Sequence, residues 1–324
     1  MTSPPPPMSR RRIASILWFP VFFAIALPVT FEAALHQPQP HNVPVAVVGD
    51  ADRVRSMTDG LHSAPAHGLE VRHLPSAAAA IAAVRDREVA AAYVDDGSAT
   101  TVYLARAASP IRAGYLQGVF ARLAGNRPPA VVDLVPVAAG DGGTGTFFFV
   151  FPMMMVGLIT AIVLLQLPTW RIGRRVVAVA VVGAVGTLAA YIAAVGLDIL
   201  PDKPLLLVGA FLVTQVFGQL MVGAAPLLKQ YFLPAALTFS LILGVPSSGG
   251  AVSPDLLPTV FRYLSDALPL AQGVDLTRSV AYFHNASTTQ PTLVMLLWVA
   301  LAAGTVGIAW RRQPRPAVAP VTSA

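Results

Sequence analysis

Six apolar segments, unevenly spaced, constrain this chain more than any single residue. One stands alone at 13–35. A polar stretch follows, from about His36 to Thr146, and the other five crowd into the remainder at 147–167, 176–197, 205–225, 231–245 and 292–310. Most approach the roughly 20 residues needed to cross the hydrocarbon of a bilayer. The layout predicts an α-helical integral membrane protein with six transmembrane helices, plus an extracytoplasmic α/β domain inserted between the first and second spans. Composition agrees, because only 12% of the residues are charged against about 25% in soluble domains.

The expected division has a cytoplasmic N-terminal tail at 1–12, the first transmembrane helix at 13–35, and the extracytoplasmic domain with its linker at 36–146. A five-helix transmembrane domain at 147–310 follows, with re-entrant or amphipathic helices at about 247–284, then a cytoplasmic tail at 311–324. The first segment opens on Arg10, Arg11 and Arg12, as a signal peptide would. Its apolar run is too long for a typical signal core, and no small-x-small site precedes His36, so a retained anchor is expected. With no cysteine in the chain, neither a disulfide framework nor a thiolate metal site can form.

The net charge of +6 invites a nucleic-acid reading, but its distribution gives a topology instead. If the N-terminus is cytoplasmic, the inner connections hold Arg10, Arg11, Arg12, Arg171, Arg174, Arg175, Lys229, Arg311, Arg312 and Arg315, and no acidic residue. All 16 acidic residues fall elsewhere. That asymmetry is the positive-inside pattern, so both termini are expected in the cytoplasm and no nucleic-acid partner is expected. Arginine outnumbers lysine 20 to 2, which reads as GC-rich bacterial coding and suggests a bacterial plasma membrane.

Residues 40–142 alternate strand and helix patterns. An apolar run at 43–48 ends in Gly49-Asp50, helical spacing follows through Val54, Met57 and Leu61, and 69–74 alternates as a strand. Ser76 is placed to cap an alanine-rich helix, strands are expected at 89–94 and 100–105, a helix over 109–125, and a last strand at 131–137. This predicts a small sheet covered by helices. Gly140, Gly142, Gly143 and Gly145 read as a linker; they lack the lysine of a phosphate-binding loop. His36, His41, His62, His67 and His73 match no metal-ligand spacing, and Asp95-Asp96-Gly97-Ser98 reads as a hairpin turn. No catalytic, cofactor-binding or metal constellation emerges, so no enzyme activity is expected.

Two polar features lie among the later segments. Gln215 and Gln219 are four apart and share a helix face. Amides in lipid are costly without partners, so they either bond between helices or line a substrate path. After the fifth segment, Ser247, Ser248, Gly249 and Gly250 interrupt an apolar stretch that continues through Pro254, Pro258 and Pro269. Irregular backbone at membrane depth needs protein or water around it. A span break there is expected, followed by short helices at about 256–267 and 270–282 at the outer surface.

The run Ser247-Ser248-Gly249-Gly250, Pro254, Leu257-Pro258, Phe261, Leu264, Leu268-Pro269 and Arg278 resembles the tail of the type-2 ABC exporter permease superfamily, closest to its phage-infection-protein (YhgE/Pip) branch. The opening of the polar domain at 45–50 and the unit at 77–95 are similar to that branch's extracellular insert. The resemblance implies a homodimeric or heterodimeric permease that exports lipids, polysaccharides, drugs or peptides. ATP would be bound on a separate cytoplasmic ATPase subunit, with no cofactor in this chain. Arg171, Arg174 and Arg175 would face that ATPase. The chain departs from the family in its N-terminus, with prolines at 4–7, and in its short second-to-third connection at 168–175. The alternative is a non-transporting envelope protein, a receptor, scaffold or secretion component, binding partners through its outer domain. Membrane lipids are expected neighbours in either case.

Overall fold

The computed structural model describes residues 10–63, 68–125 and 128–313. Most of the expected tails, including the prolines at 4–7 and Arg315, lie outside the described residues, as does His67. The elements run α1 (Arg10–Leu35), β1 (Val43–Val48), α2 (Ala51–Ser63), β2 (Leu69–His73), α3 (Ala77–Arg85), β3 (Ala91–Asp95), β4 (Thr100–Leu104), α4 (Pro110–Leu123) and β5 (Ala130–Asp133). There follow α5 (Gly145–Leu164), α6 (Ile172–Gly196), α7 (Leu205–Leu228), α8 (Phe232–Leu237), α9 (Thr259–Ala267), α10 (Pro269–Tyr282) and α11 (Thr289–Arg311).

Among the described residues, five helical stretches are long and apolar enough to cross a membrane: Leu17–Leu35, Gly145–Leu164, Ile172–Gly196, Leu205–Gly244 and Thr289–Arg311. Large apolar side chains stay exposed along α6, at Val177, Val181, Val185, Leu188 and Ile192, and along α11, at Leu293, Leu297 and Leu301. Such stripes suit lipid rather than water. The chain is a multi-pass membrane protein with a small α/β domain.

The fourth stretch is not straight. Phe217 and Phe239 are 22 positions apart, which along one helix is about 33 Å, yet their ring centroids lie 5.9 Å apart. The chain turns back near Pro226 and Lys229, whose φ is +51°. The returning arm is α8 followed by a π-helical segment, Thr238–Gly244.

Helix α7 is the axis of the bundle. A Cβ on Gly157 of α5 would lie 2.5 Å from the Thr214 carbonyl, and one on Gly223 would meet Thr305 of α11 at 2.4 Å. Only a missing side chain permits such approach. Gly145 at the start of α5 meets Ile199 just before α7, and Thr292 near the start of α11 lines one pocket with Leu205 and Gly209, so α5, α7 and α11 are parallel, while Gln215 and Gln219 bond back to Val179 and Val176 of an antiparallel α6. One end of the bundle therefore gathers Arg171, Arg174, Arg175, Lys229, Arg311 and Arg312. All the acidic residues lie toward the other end.

At that other end sits a five-stranded sheet in the order β2-β1-β3-β4-β5. β1 is parallel to β2 and β3, β3 and β4 are antiparallel, and β4 and β5 are parallel. The side-chain oxygens of Ser76 and Ser109 accept the Ala79 and Arg112 amides and so start α3 and α4. Helices α2 and α4 cover one face through Met57, Leu61, Leu116 and Phe120; α3 covers the other through Ala80, Ala83 and Val84. The first core is finished by residues far along the chain: Val252, Leu256, Leu257 and Phe261 pack into it, as does Ala34 of α1. The glycine-rich tract is a packed corner. Asp141 is buried and its carboxylate accepts the Gly143 and Gly145 amides, both at 2.7 Å, where α5 begins. Helix α9 leaves Val260 and Tyr263 exposed, whereas α10 is buried against α5, α7 and α11.

Candidate functional site at the junction of bundle and α/β domain

The structure places the two glutamines against α6. Gln219 Nε2 donates to the Gln215 Oε1 at 2.9 Å and to the Val176 carbonyl at 3.1 Å; Gln215 Nε2 donates to the Val179 carbonyl at 3.5 Å. The four-residue spacing thus lets the amides satisfy one another and a neighbouring helix. Gln219 Oε1 is left buried with no partner among the described residues. The same pair also lines a groove of about 520 Å³ between α6, α7 and α11, otherwise walled by Val299, Ala302, Val306 and Trp310 and reaching Arg311.

Beside the groove's charged end, Arg171 and Arg174 are exposed, while Arg175 folds back and donates to the Leu167 carbonyl at 2.9 Å. The turn from Leu165 to Arg171 projects no helix of its own.

At the opposite end, the helical path stops at Gly244 and the chain runs irregularly to Ser253. Gly249 has φ +68°, a left-handed conformation that costs any residue with a Cβ. A Cβ on Gly250 would lie 2.3 Å from the Phe147 ring of α5. Ser247 Oγ donates to the Leu243 carbonyl at 2.5 Å, and Ser248 Oγ accepts the Gly250 amide at 3.3 Å. Ser247 and Ser248 are buried. The Gly249 carbonyl, freed by the irregular backbone, accepts Nη2 of Arg278 at 3.1 Å.

Arg278 belongs to a set of polar residues drawn from both halves of the molecule. Arg112 of α4 pairs with Asp255 at 2.5 Å. Arg87, just after α3, grips Asp275 of α10 with both fork nitrogens, at 2.5 and 3.4 Å. It also donates to Ser279 and lies 5.3 Å above the Phe283 ring. These contacts fasten the α/β domain to the segments that follow the break. Between them is a cavity of about 210 Å³, lined by the three arginines, Asp255, Asp266, Asp275 and the small polar side chains of Ser248, Ser265 and Gln290. Burial would raise the Asp255 carboxyl, but the charge of Arg112 and hydrogen bonds from Ser253 and Arg112 outweigh it and hold the group below the usual carboxylate range. Burial brings the Arg278 guanidinium down to about 10, with Asp275 opposing the drop. It stays charged at neutral pH.

No family of known proteins, no curated protein and no solved structure matches this chain. Its chemistry therefore rests on its own geometry. Among the described residues no group of three or more His, Asp or Glu side chains is placed to hold a metal ion. The carboxyl ends of β1 and β3, where α/β sheets often bind ligands, are closed by Arg53, which bridges Asp50 and Asp95 at 3.2 and 2.5 Å. The structure does not bring the glutamine pair, the glycine break and the Arg171, Arg174 and Arg175 group together; they lie along the bundle from one end to the other. Sequence reasoning passed over Arg87, Arg112, Asp255 and Asp275. Their partners lie 188 and 143 positions apart, and no local pattern marks them.

Proposed function

We propose that the chain is the membrane permease subunit of a type-2 ABC-like exporter, moving an amphipathic lipid, drug, peptide or envelope component out of the cytoplasm with a separate ATPase. The observation that carries this reading is the groove beside Gln215 and Gln219. Its walls are apolar, two amides give it a polar stripe, and it reaches the arginine end of the bundle. That combination suits a molecule with a long apolar body and a few polar groups. In this reading the hairpin at Pro226–Lys229 counts as two spans, making six. The acid-free end faces the cytoplasm and the α/β domain lies outside. Arg171 and Arg174, exposed beside the groove, meet the ATPase, and a second permease subunit completes the assembly.

The test is reconstitution into vesicles with the co-purifying ATPase, comparing ATP-driven export by the parent and by Gln215→Leu/Gln219→Leu. Export falls in the variant if the groove carries substrate. Orientation is checked separately: single cysteines at Ser98 and Gln230 in intact cells should react with an impermeant thiol reagent at 98 and not at 230. The reverse pattern overturns the topology.

One observation favours the alternative, an envelope receptor or scaffold. The loop before α6 offers little surface to an ATPase, and Arg175 is turned inward onto Leu167. Changing Arg171, Arg174 and Arg175 to Gln distinguishes the two. An exporter loses its ATPase on purification with topology intact, whereas a scaffold keeps its partners at the α/β domain.

A further inference from the structure

We propose that the junction cavity is a binding site for a small oxyanion group, phosphate or carboxylate, held by Arg278. Arg112 and Arg87 each have a carboxylate within 2.5 Å, from Asp255 and Asp275. Arg278 has none within ion-pair distance; its single hydrogen bond among the described residues goes to the Gly249 carbonyl. Yet its side chain is 5% exposed and forms part of the cavity wall. A buried guanidinium keeps its charge and has five donors in a flat fork. One donor is spent on a carbonyl, and the others have no hydrogen-bond partner among the described residues although Arg278 lines the cavity. Taking a charge out of water is costly; Asp275 and Asp141 favour the Arg278 charge only from beyond ion-pair distance, and the two neighbouring arginines oppose it. A bound oxyanion answers both demands, because a forked guanidinium matches two oxygens of a phosphate or carboxylate.

The rest of the wall supports the assignment. Ser265 and Gln290 add hydroxyl and amide groups, and about 210 Å³ suits a headgroup-sized ligand rather than a whole amphipath. Asp266 is the opposing element: it lines the cavity, is exposed, and has no ion-pair partner within 4 Å among the described residues. It should weaken anion binding, which makes it a control. The site lies where the α/β domain meets the bundle, so the oxyanion has two sources, a lipid headgroup or a free ion. The inference holds whether or not the chain transports anything.

The full chain in a neutral maltoside micelle is titrated calorimetrically with inorganic phosphate, and separately with short-chain phosphatidic acid. Saturable binding of phosphate alone identifies a free ion; tighter binding of phosphatidic acid identifies a headgroup; absence of both at millimolar concentration overturns the site. Arg278→Gln should weaken binding by about tenfold or more, the scale of a lost charged hydrogen bond. Unchanged affinity in a folded Arg278→Gln protein overturns the assignment. Should that variant not fold, Asp266→Asn decides, since it leaves the packed residues untouched. It should tighten binding several-fold, and unaltered affinity rejects the proposal. A merely structural arginine at 278 would give no gain at 266.

Discussion

The molecule half-buries two polar sets, and they are assembled in opposite ways. The Gln215–Gln219 pair is local. Two amides one helical turn apart bond to each other and to carbonyls of an adjacent helix. The arginine junction is non-local: Arg87 and Arg112 of the α/β domain reach Asp275 and Asp255, well over a hundred positions away. The first can be rearranged without moving any helix. The second holds two layers of the molecule in register, so its loss should be felt across the structure. Breaking a buried pair leaves one charge stranded, which costs more than an amide bond in lipid.

That difference can be broken experimentally at several strengths. The severest change is Gly249→Val/Gly250→Val. It forces a Cβ into a left-handed conformation and another into the Phe147 ring, at a combined cost of about 2–5 kcal/mol from backbone strain and overpacking. A sharp fall in thermal midpoint in detergent is expected; a double variant as stable as the parent would mean the junction tolerates a displaced break.

Arg112→Ala or Arg87→Ala should cost about 2–4 kcal/mol, somewhat less than a fully buried pair because these side chains keep partial contact with solvent. Limited proteolysis should then show the α/β domain loosening while the bundle stays intact. Adding Asp255→Ala to Arg112→Ala should recover part of the loss, and no recovery would argue against the pair as the cause.

Acid probes the same pair more gently. The Asp255 carboxyl lies below its ordinary value of 3.8 in the folded protein. Its contribution to stability is therefore complete above the unfolded value and is lost as pH falls through the lower, folded one. Stability of the parent should drop below the ordinary carboxylate range, and Asp255→Asn should flatten that part of the profile. An equally steep profile in the variant would shift the acid sensitivity to other carboxylates.

The mildest change is Gln215→Leu/Gln219→Leu, at about 0.6 kcal/mol for each hydrogen bond lost in the bundle, roughly 2 kcal/mol for the three the pair makes. If it unfolds the protein as thoroughly as Arg112→Ala, the contrast between local and long-range polar sets fails.

The contrast also governs what could be read in advance. Period-two and helical spacing located all five strands and the helices between them, because those signals live within a few residues. Ser76 was legible as a cap for the same reason. Strand limits were less so: the strand expected at 131–137 pairs only over Ala130–Asp133, since pairing depends on the neighbouring β4. The hairpin at Lys229 was visible as a charge between apolar runs, but the π-helical return arm was not. Helix α10, expected over about 270–282, spans Pro269–Tyr282, and its polar residues Gln272 and Arg278 find backbone carbonyls at Ser265 and Gly249. Of the junction, sequence singled out the glycine break, whose irregularity is written into residue type, and Arg278, but not the carboxylates around it. The ion pairs required knowing which distant segments meet.

The shared core of the α/β domain has a consequence for how the protein is made. Its sheet is complete at Asp133, yet Val252, Leu256, Leu257 and Phe261, which close one face, come about 120 residues later. At about 5–20 residues per second, that separation is roughly 6–24 s of synthesis. During that interval three long apolar segments must insert while the core under α2 and α4 stays unfinished. The nascent domain is thus an unfinished vessel sealed from below by a segment made after α7, and a chain that ends its synthesis at α7 keeps that core without its closing residues.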